Sequence, residues 1–211
     1  PINTGAALAI NRMDSSGGNI KLTNDTDIAL TDVCTIIDCN HTGQIGSSGG
    51  NIYLQSTAGS ITGNGSIDAS GQAFTDHPNG GVITLNAFSS IDMALGSIFS
   101  NGHGAESSAG GNGGEINLIA GGDVNVGYLD VSGGDGNSGY NGGAGGAGGF
   151  VSINAGGAAN IASIDAYGGS GAGGSTGAAG TVGTISAPDG GNGSNGGDGG
   201  LGGIGGQIQI T

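Results

Sequence analysis

The sequence predicts an all-β chain wound into a right-handed parallel β-helix, and three observations predict it. Short stretches reading Gly-x-Ile-x-Leu, or close to it, open at Gly18, Gly50, Gly81, Gly114, Gly149 and Gly206, at spacings of 32, 31, 33, 35 and 57 residues. A near-fixed period of this size marks stacked units, none of which can bury its apolar face except against a neighbour. Within each unit, aliphatic and polar residues alternate with the period of a strand, and no window sustains a 3.6-residue period. Glycine, 54 of 211 residues, interrupts every window in which a helix could propagate. Collagen is excluded, because glycine does not fall at every third position and there are three prolines.

The whole chain, 1–211, reads as a single solenoid domain. Residues 1–17 hold an N-terminal strand or partial coil around Ala6-Ala7-Leu8-Ala9-Ile10, residues 18–205 the repeated coils, and residues 206–211 a terminal strand. The first strand of each coil is Ile20-Lys21-Leu22, Ile52-Tyr53-Leu54, Ile83-Thr84-Leu85, Ile116-Asn117-Leu118, Val151-Ser152-Ile153 and Ile208-Gln209-Ile210. Period two turns each aliphatic pair inward and the residue between them outward. Ala87, Ala120 and Ala155 follow two positions later, small enough for a tapering corner of a narrow core. A second segment comes next: Ile37-Asp38-Cys39, Ile67-Asp68-Ala69, Ile98-Phe99-Ser100, Leu129-Asp130-Val131 and Ile164-Asp165-Ala166, with Thr184-Ile185-Ser186-Ala187 as a further copy. Ile61, Ile91, Val124 and Ile161 lie upstream of these and add a third short strand per coil. Six to seven coils at about 4.8 Å each make a rod on the order of 30 Å tall.

The connections lengthen toward the C-terminus. Gly133 to Gly149 holds ten glycines in seventeen residues, and eleven fall between Gly190 and Gly206. Such runs are either flexible loops or ordered strands of polyproline-II type, in which missing side chains let backbones approach closely. Their recurrence at one corner of successive coils favours ordered packing.

Charge narrows the partners. Arg12 and Lys21 are the only basic residues against sixteen acids, a net charge of −14. Nucleic acid is excluded as a partner, since phosphate recognition needs clustered cations, and a direct grip on anionic lipid is disfavoured for the same reason. No apolar run reaches membrane-spanning length and no complete signal peptide is present. The expectation is a mature secreted or cell-surface segment. Cys34 and Cys39, in the most polar copy of the repeat, suit a local disulfide across a turn and an oxidising compartment; a metal pair is the weaker alternative, because no second Cys pair or His cluster completes a ligand set.

The stretches "GGNIYLQSTAGSITGNGSIDASG" (49–71) and "GGEINLIAGGDVNVGYLDVSGGDG" (113–136) resemble coils of bacterial surface β-helix proteins of the filamentous-haemagglutinin type. The resemblance covers nearly the whole chain from Gly17 onward and is carried by the repeat glycines and aliphatics. It implies a β-helix that is secreted or surface-attached and serves in adhesion, in a biofilm matrix or as a stalk. The coil of Cys34 and Cys39 and the long glycine runs depart from the pattern.

Candidate chemistry is sparse. β-Helix lyases need basic residues to take a proton and neutralise a uronate, and Arg12 and Lys21 both lie at the N-terminal end. Hydrolases need paired carboxyls. Asp38, Asp68, Asp130 and Asp165 share one column, but Phe99 and Ser186 interrupt it, so the expectation is a solvated structural column and no enzyme. No cofactor is implied. Calcium is an option left open by turns such as Gly133-Gly134-Asp135-Gly136-Asn137, although the calcium-binding nonapeptide is not matched. His41, His77 and His103 fall in turn regions, and Asn24, Asn40, Asn64 and Asn192 begin glycosylation sequons. An ice-binding ladder is disfavoured, because Ile119 breaks the most uniform outward column. The expected function is a structural or adhesive filament subunit, stalk or matrix scaffold that associates end to end. The alternative is a module binding a glycan or other extended ligand, with Tyr53 and Tyr128 as stacking surfaces.

Overall fold

The computed structural model describes residues 6–10, 12–14, 18–30, 44–46, 49–71, 79–104, 109–138, 141–176, 178 and 194–211. Among them there is no helix. The strands are β1 (Leu8–Ile10), β2 (Arg12–Asp14), β3 (Ile20–Asn24), β4 (Ile28–Leu30), β5 (Gln44–Gly46), β6 (Ile52–Ser56), β7 (Ile61–Gly63), β8 (Ser66–Asp68), β9 (Val82–Ala87), β10 (Ile91–Phe99), β11 (Glu115–Ala120), β12 (Val124–Asp130), β13 (Phe150–Ala155), β14 (Ala159–Asp165) and β15 (Gln207–Ile210). Every pairing is parallel and joins one repeat to the next, which makes the chain a β-solenoid.

One sheet stacks β3, β6, β9, β11, β13 and β15 in that order. Its register aligns Ile20, Ile52, Ile83, Ile116, Val151 and Ile208 in one column and Leu22, Leu54, Leu85, Leu118, Ile153 and Ile210 in the next. These are the aliphatic pairs that the sequence turns inward, and from Ile52 to Ile153 they are buried. The other sheet begins as two columns, β1-β4-β7 and β2-β5-β8, which meet on the two halves of β10 and continue together through β12 and β14. Three strands per coil therefore hold for the early coils. From β10 onward the second and third strands fuse, with a register shift between Met93 and Ser97 marking the old corner. Gly96 sits in that bend, where an added Cβ would lie 2.8 Å from the Gly65 carbonyl oxygen below it.

The core is a set of aliphatic columns, each buried side chain contributing about 1.5–3 kcal/mol. Asn24, Ser56, Ala87, Ala120 and Ala155 stack at one inner corner. The two polar members are buried and hold the turns: the Asn24 amide donates to the Asp27 carbonyl at 3.0 Å, and the Ser56 hydroxyl to the Thr26 carbonyl at 2.6 Å. Alanine replaces them in later coils, where Ala87 and Ala120 are buried.

The described parts of the glycine runs, 133–138, 141–149 and 194–206, are extended and hydrogen-bonded. Where the coils of β10, β12 and β14 leave the third face and return to the first sheet, each forms a pair of extended segments bonded at every third residue, the period of a polyproline-II helix. Within a coil the pairs are antiparallel: Gly143, Gly146 and Gly149 donate to the carbonyls of Asn137, Gly134 and Val131, and Gly197, Gly200, Gly203 and Gly206 to those of Ser175, Ala172, Gly169 and Ala166. Between coils they are parallel: Gly110 and Gly113 donate to Ala144 and Ala147, and Gly142, Gly145 and Gly148 to Asp198, Leu201 and Ile204. The result is a two-layered glycine sandwich projecting from one corner of the solenoid. A Cβ at Gly113 would fall against the Val131 carbonyl oxygen, closer than the 3.0 Å that real Cβ atoms respect. The copy expected at Thr184–Ala187 lies outside the described residues.

Candidate functional site

Three of the four column acids are described. The parallel register places Asp68, Phe99, Asp130 and Asp165 side by side on the third face; Asp38 lies outside the described residues, as do Cys34 and Cys39. Each carboxylate is engaged locally. Asp68 Oδ1 accepts the Ser70 amide at 2.8 Å. Asp130 Oδ1 accepts the amide and hydroxyl of Ser132 at 3.0 and 2.6 Å, and its Oδ2 accepts Asn101 Nδ2 at 3.0 Å. The Tyr128 hydroxyl donates to Asp165 Oδ2 at 2.6 Å and lies 3.2 Å from Asp130 Oδ2.

Tyr128 thus bridges two coils. Its ring meets Phe99 edge-on, with centroids 5.8 Å apart and planes at 69°. The phenol pKa is raised above its ordinary 10.0, first by partial burial, then by the hydrogen bond to Asp165 and the negative charges of Asp130 and Asp165. A phenol that holds its proton between two carboxylates relieves their repulsion and ties the coils of β10, β12 and β14 together. Within the third face, Asp68 bonds through one carboxylate oxygen, Asp165 through one and Asp130 through both.

The other aromatic, Tyr53, stands on the first sheet, in register with Lys21 and Thr84. The Lys21 ammonium lies 5.3 Å from its ring centroid, an arrangement that satisfies part of the cation on the ring face. The two tyrosines therefore occupy different sheets and do not form one stacking platform. The open grooves among the described residues include one at the first sheet and one along β10, β12 and β14. One, of about 530 Å³, follows the junction of sandwich and first sheet, floored by Gly113, Gly114, Gly148 and Gly149 and edged by Phe150 and Ile204. The other, about 700 Å³, runs along Asp92, Asn125 and Asn160, where Asn160 Nδ2 donates to Asn125 Oδ1 at 2.7 Å.

No group of three or more His, Cys, Asp or Glu side chains capable of holding a metal ion occurs among the described residues. Asp135, in the turn that left calcium open, spends its Oδ1 on the Ser170 amide of the next coil at 2.7 Å. That contact belongs to a device the sequence reading missed. Asn19 Oδ1 accepts the Asn51 amide, and Asn51 Oδ1 the Val82 amide, at 2.8 and 2.9 Å. Asn79 and Asn112 repeat this at 2.7 and 2.8 Å with Asn112 and Ala147, and Asp27 and Asp123 cap Ser60 and Ala158 at 2.7 Å each. Each side chain satisfies an amide that the strand ladder leaves exposed one coil above. The signal was readable in Gly18-Asn19-Ile20 and Gly50-Asn51-Ile52, where an amide precedes the first inward aliphatic. His103 is exposed in the glycine sandwich, while His41 and His77 are outside the described residues.

Against these features, no protein-family model, curated protein or solved structure matches the chain.

Proposed function

We propose that this chain is a non-enzymatic structural element of the cell exterior: a stiff solenoid serving as a stalk, filament segment or matrix scaffold, as the resemblance to surface adhesins implies. The observation that carries this reading is where the polar side chains go. Carboxylates, amides and hydroxyls that would form a site in an enzyme are used to join one coil to the next, through Tyr128 with Asp130 and Asp165 and through the Asn and Asp caps. A second layer of rigidity comes from the glycine sandwich, which bonds every third residue along its length. A chain that spends its chemistry on its own stacking resists bending. The strongly acidic surface keeps so repetitive an object soluble, and a Cys34–Cys39 disulfide would fit an oxidising exterior.

End-to-end association is part of the proposal. Ile208 and Ile210 on β15 are 50% and 53% exposed, so a further coil, from the same chain or a second copy, would bury them. A thermal-shift panel of polysaccharides and divalent ions, with light scattering over a concentration series, tests the reading. Unchanged stability across the panel supports a scaffold. Strong stabilisation by one glycan would replace it with a binding module, since only native-state binding raises apparent stability.

A further inference from the structure

We propose that Asn64 and Asn195 are sites of spontaneous covalent modification, and that stacking of the coils protects four chemically equivalent asparagines from the same fate. In an Asn-Gly pair the glycine backbone nitrogen can attack the asparagine Cγ. The N–Cγ bond forms, the Cγ–Nδ2 bond breaks, and the side-chain nitrogen leaves as ammonia with the proton from the backbone nitrogen. Water then opens the succinimide at either carbonyl, leaving aspartate or isoaspartate. Glycine permits the attack because no Cβ hinders it, and no oxidant, metal or enzyme is consumed. The reaction does require the glycine N–H to give up its hydrogen bond and the asparagine side chain to turn back on its own backbone.

Six Asn-Gly pairs lie among the described residues, at Asn64, Asn79, Asn101, Asn112, Asn141 and Asn195. Four are locked twice. Gly80, Gly102, Gly113 and Gly142 donate their amides to the carbonyls of Asn112, Ser132, Ala147 and Asp198 in the following coil, at 2.9, 2.8, 2.8 and 2.7 Å. The side chains before them are also held: Asn79, Asn112 and Asn141 accept amides of the next coil at 2.7, 2.8 and 3.3 Å, and Asn101 donates to Asp130 at 3.0 Å. Ring closure at any of the four requires neighbouring coils to part. Asn64, Asn195 and Gly196 are exposed while Gly65 is buried, and among the described residues neither the two side chains nor the amides of Gly65 and Gly196 have a hydrogen-bond partner. Asn64 sits at the corner between β7 and β8. Conversion there adds a negative charge, and isoaspartate adds a backbone carbon at the turn from β7 into β8, both of which pair with β10.

The test is peptide mapping by mass spectrometry after the full chain is held at mildly alkaline pH, folded and, in parallel, in urea. In the folded protein Asn64 and Asn195 should convert about ten-fold or more faster than the four locked sites, whose reaction must wait for local opening. In urea the six rates should converge. Asn79 or Asn112 converting as fast as Asn64 in the folded chain would overturn the protection. An Asn64 or an Asn195 as slow as the locked sites would overturn the assignment of that residue. Asn64→Gln should remove the product from its own peptide and leave the others unchanged.

Discussion

The glycine sandwich can be tested with two alanines placed at equivalent points of successive coils. Gly145 and Gly202 are 57 residues apart, the same offset as Gly149 and Gly206, which lead into β13 and β15. An alanine Cβ at either would face the Gly169 carbonyl oxygen. At Gly145 it would fall well inside the 3.0 Å that real Cβ atoms respect, with the Ser170 carbonyl carbon at 2.9 Å; at Gly202 the oxygen is 3.8 Å away, ordinary contact. Neither glycine has a positive φ, so alanine meets no intrinsic backbone strain at either position. Gly145→Ala must therefore push the segments of 141–149 and 166–175 apart. Overpacking of this kind costs about 1–3 kcal/mol. Loosening the bonds from Gly145 to Leu201 and Gly146 to Gly134 adds about 1 kcal/mol. The expected loss is about 2–4 kcal/mol. Gly202→Ala should be neutral or should stabilise by about 0.4–1 kcal/mol, because alanine has less unfolded-state entropy to lose. Urea unfolding followed by circular dichroism reads the difference as a shift in midpoint, and hydrogen exchange at Gly146 and Gly148 reports whether the loss is local. Equal midpoints for the two variants would mean that the segments are not packed backbone against backbone.

Three further outcomes follow from the packing and the charges. Leu85→Asp or Leu118→Asp should unfold the domain, since both side chains are fully buried and an unpaired buried carboxylate costs several kcal/mol; Thr84→Asp and Asn117→Asp, on the outward side, should fold, and similar melting of all four would show the register to be misread. Tyr128 has a folded-state pKa above its ordinary 10.0, so its contribution to stability is complete below that pH and is lost as the pH rises beyond it. Spectrophotometric titration should show Tyr128 ionising later in the folded than in the unfolded chain, and Tyr128→Phe should abolish that lag and cost about 1 kcal/mol near neutrality. Cys34 and Cys39 are expected to be disulfide-bonded, and intact-mass measurement after alkylation without reduction should find no modified thiol; two alkylated thiols would end the idea.

Period and alternation were enough to determine the solenoid. Ile20, Ile52, Ile83, Ile116, Val151 and Ile208 recur at nearly constant spacing, and a two-residue alternation leaves only one face on which they can meet. Their register in the first sheet follows from the sequence alone, as does the column of Asp68, Phe99, Asp130 and Asp165. The choice between loop and ordered strand in the glycine runs belonged to the tertiary structure. Glycine carries no side chain to reveal which face it turns inward, so hydrogen bonds at every third residue appear only once the neighbouring coils are in place. The same holds for the fusion of the second and third strands at β10, which a register shift between Met93 and Ser97 decides. It holds equally for Tyr128, whose partners Asp130 and Asp165 are two and thirty-seven residues away. Local sequence states what a side chain can bond; only stacking decides which carboxylate, amide or carbonyl stands one coil above it.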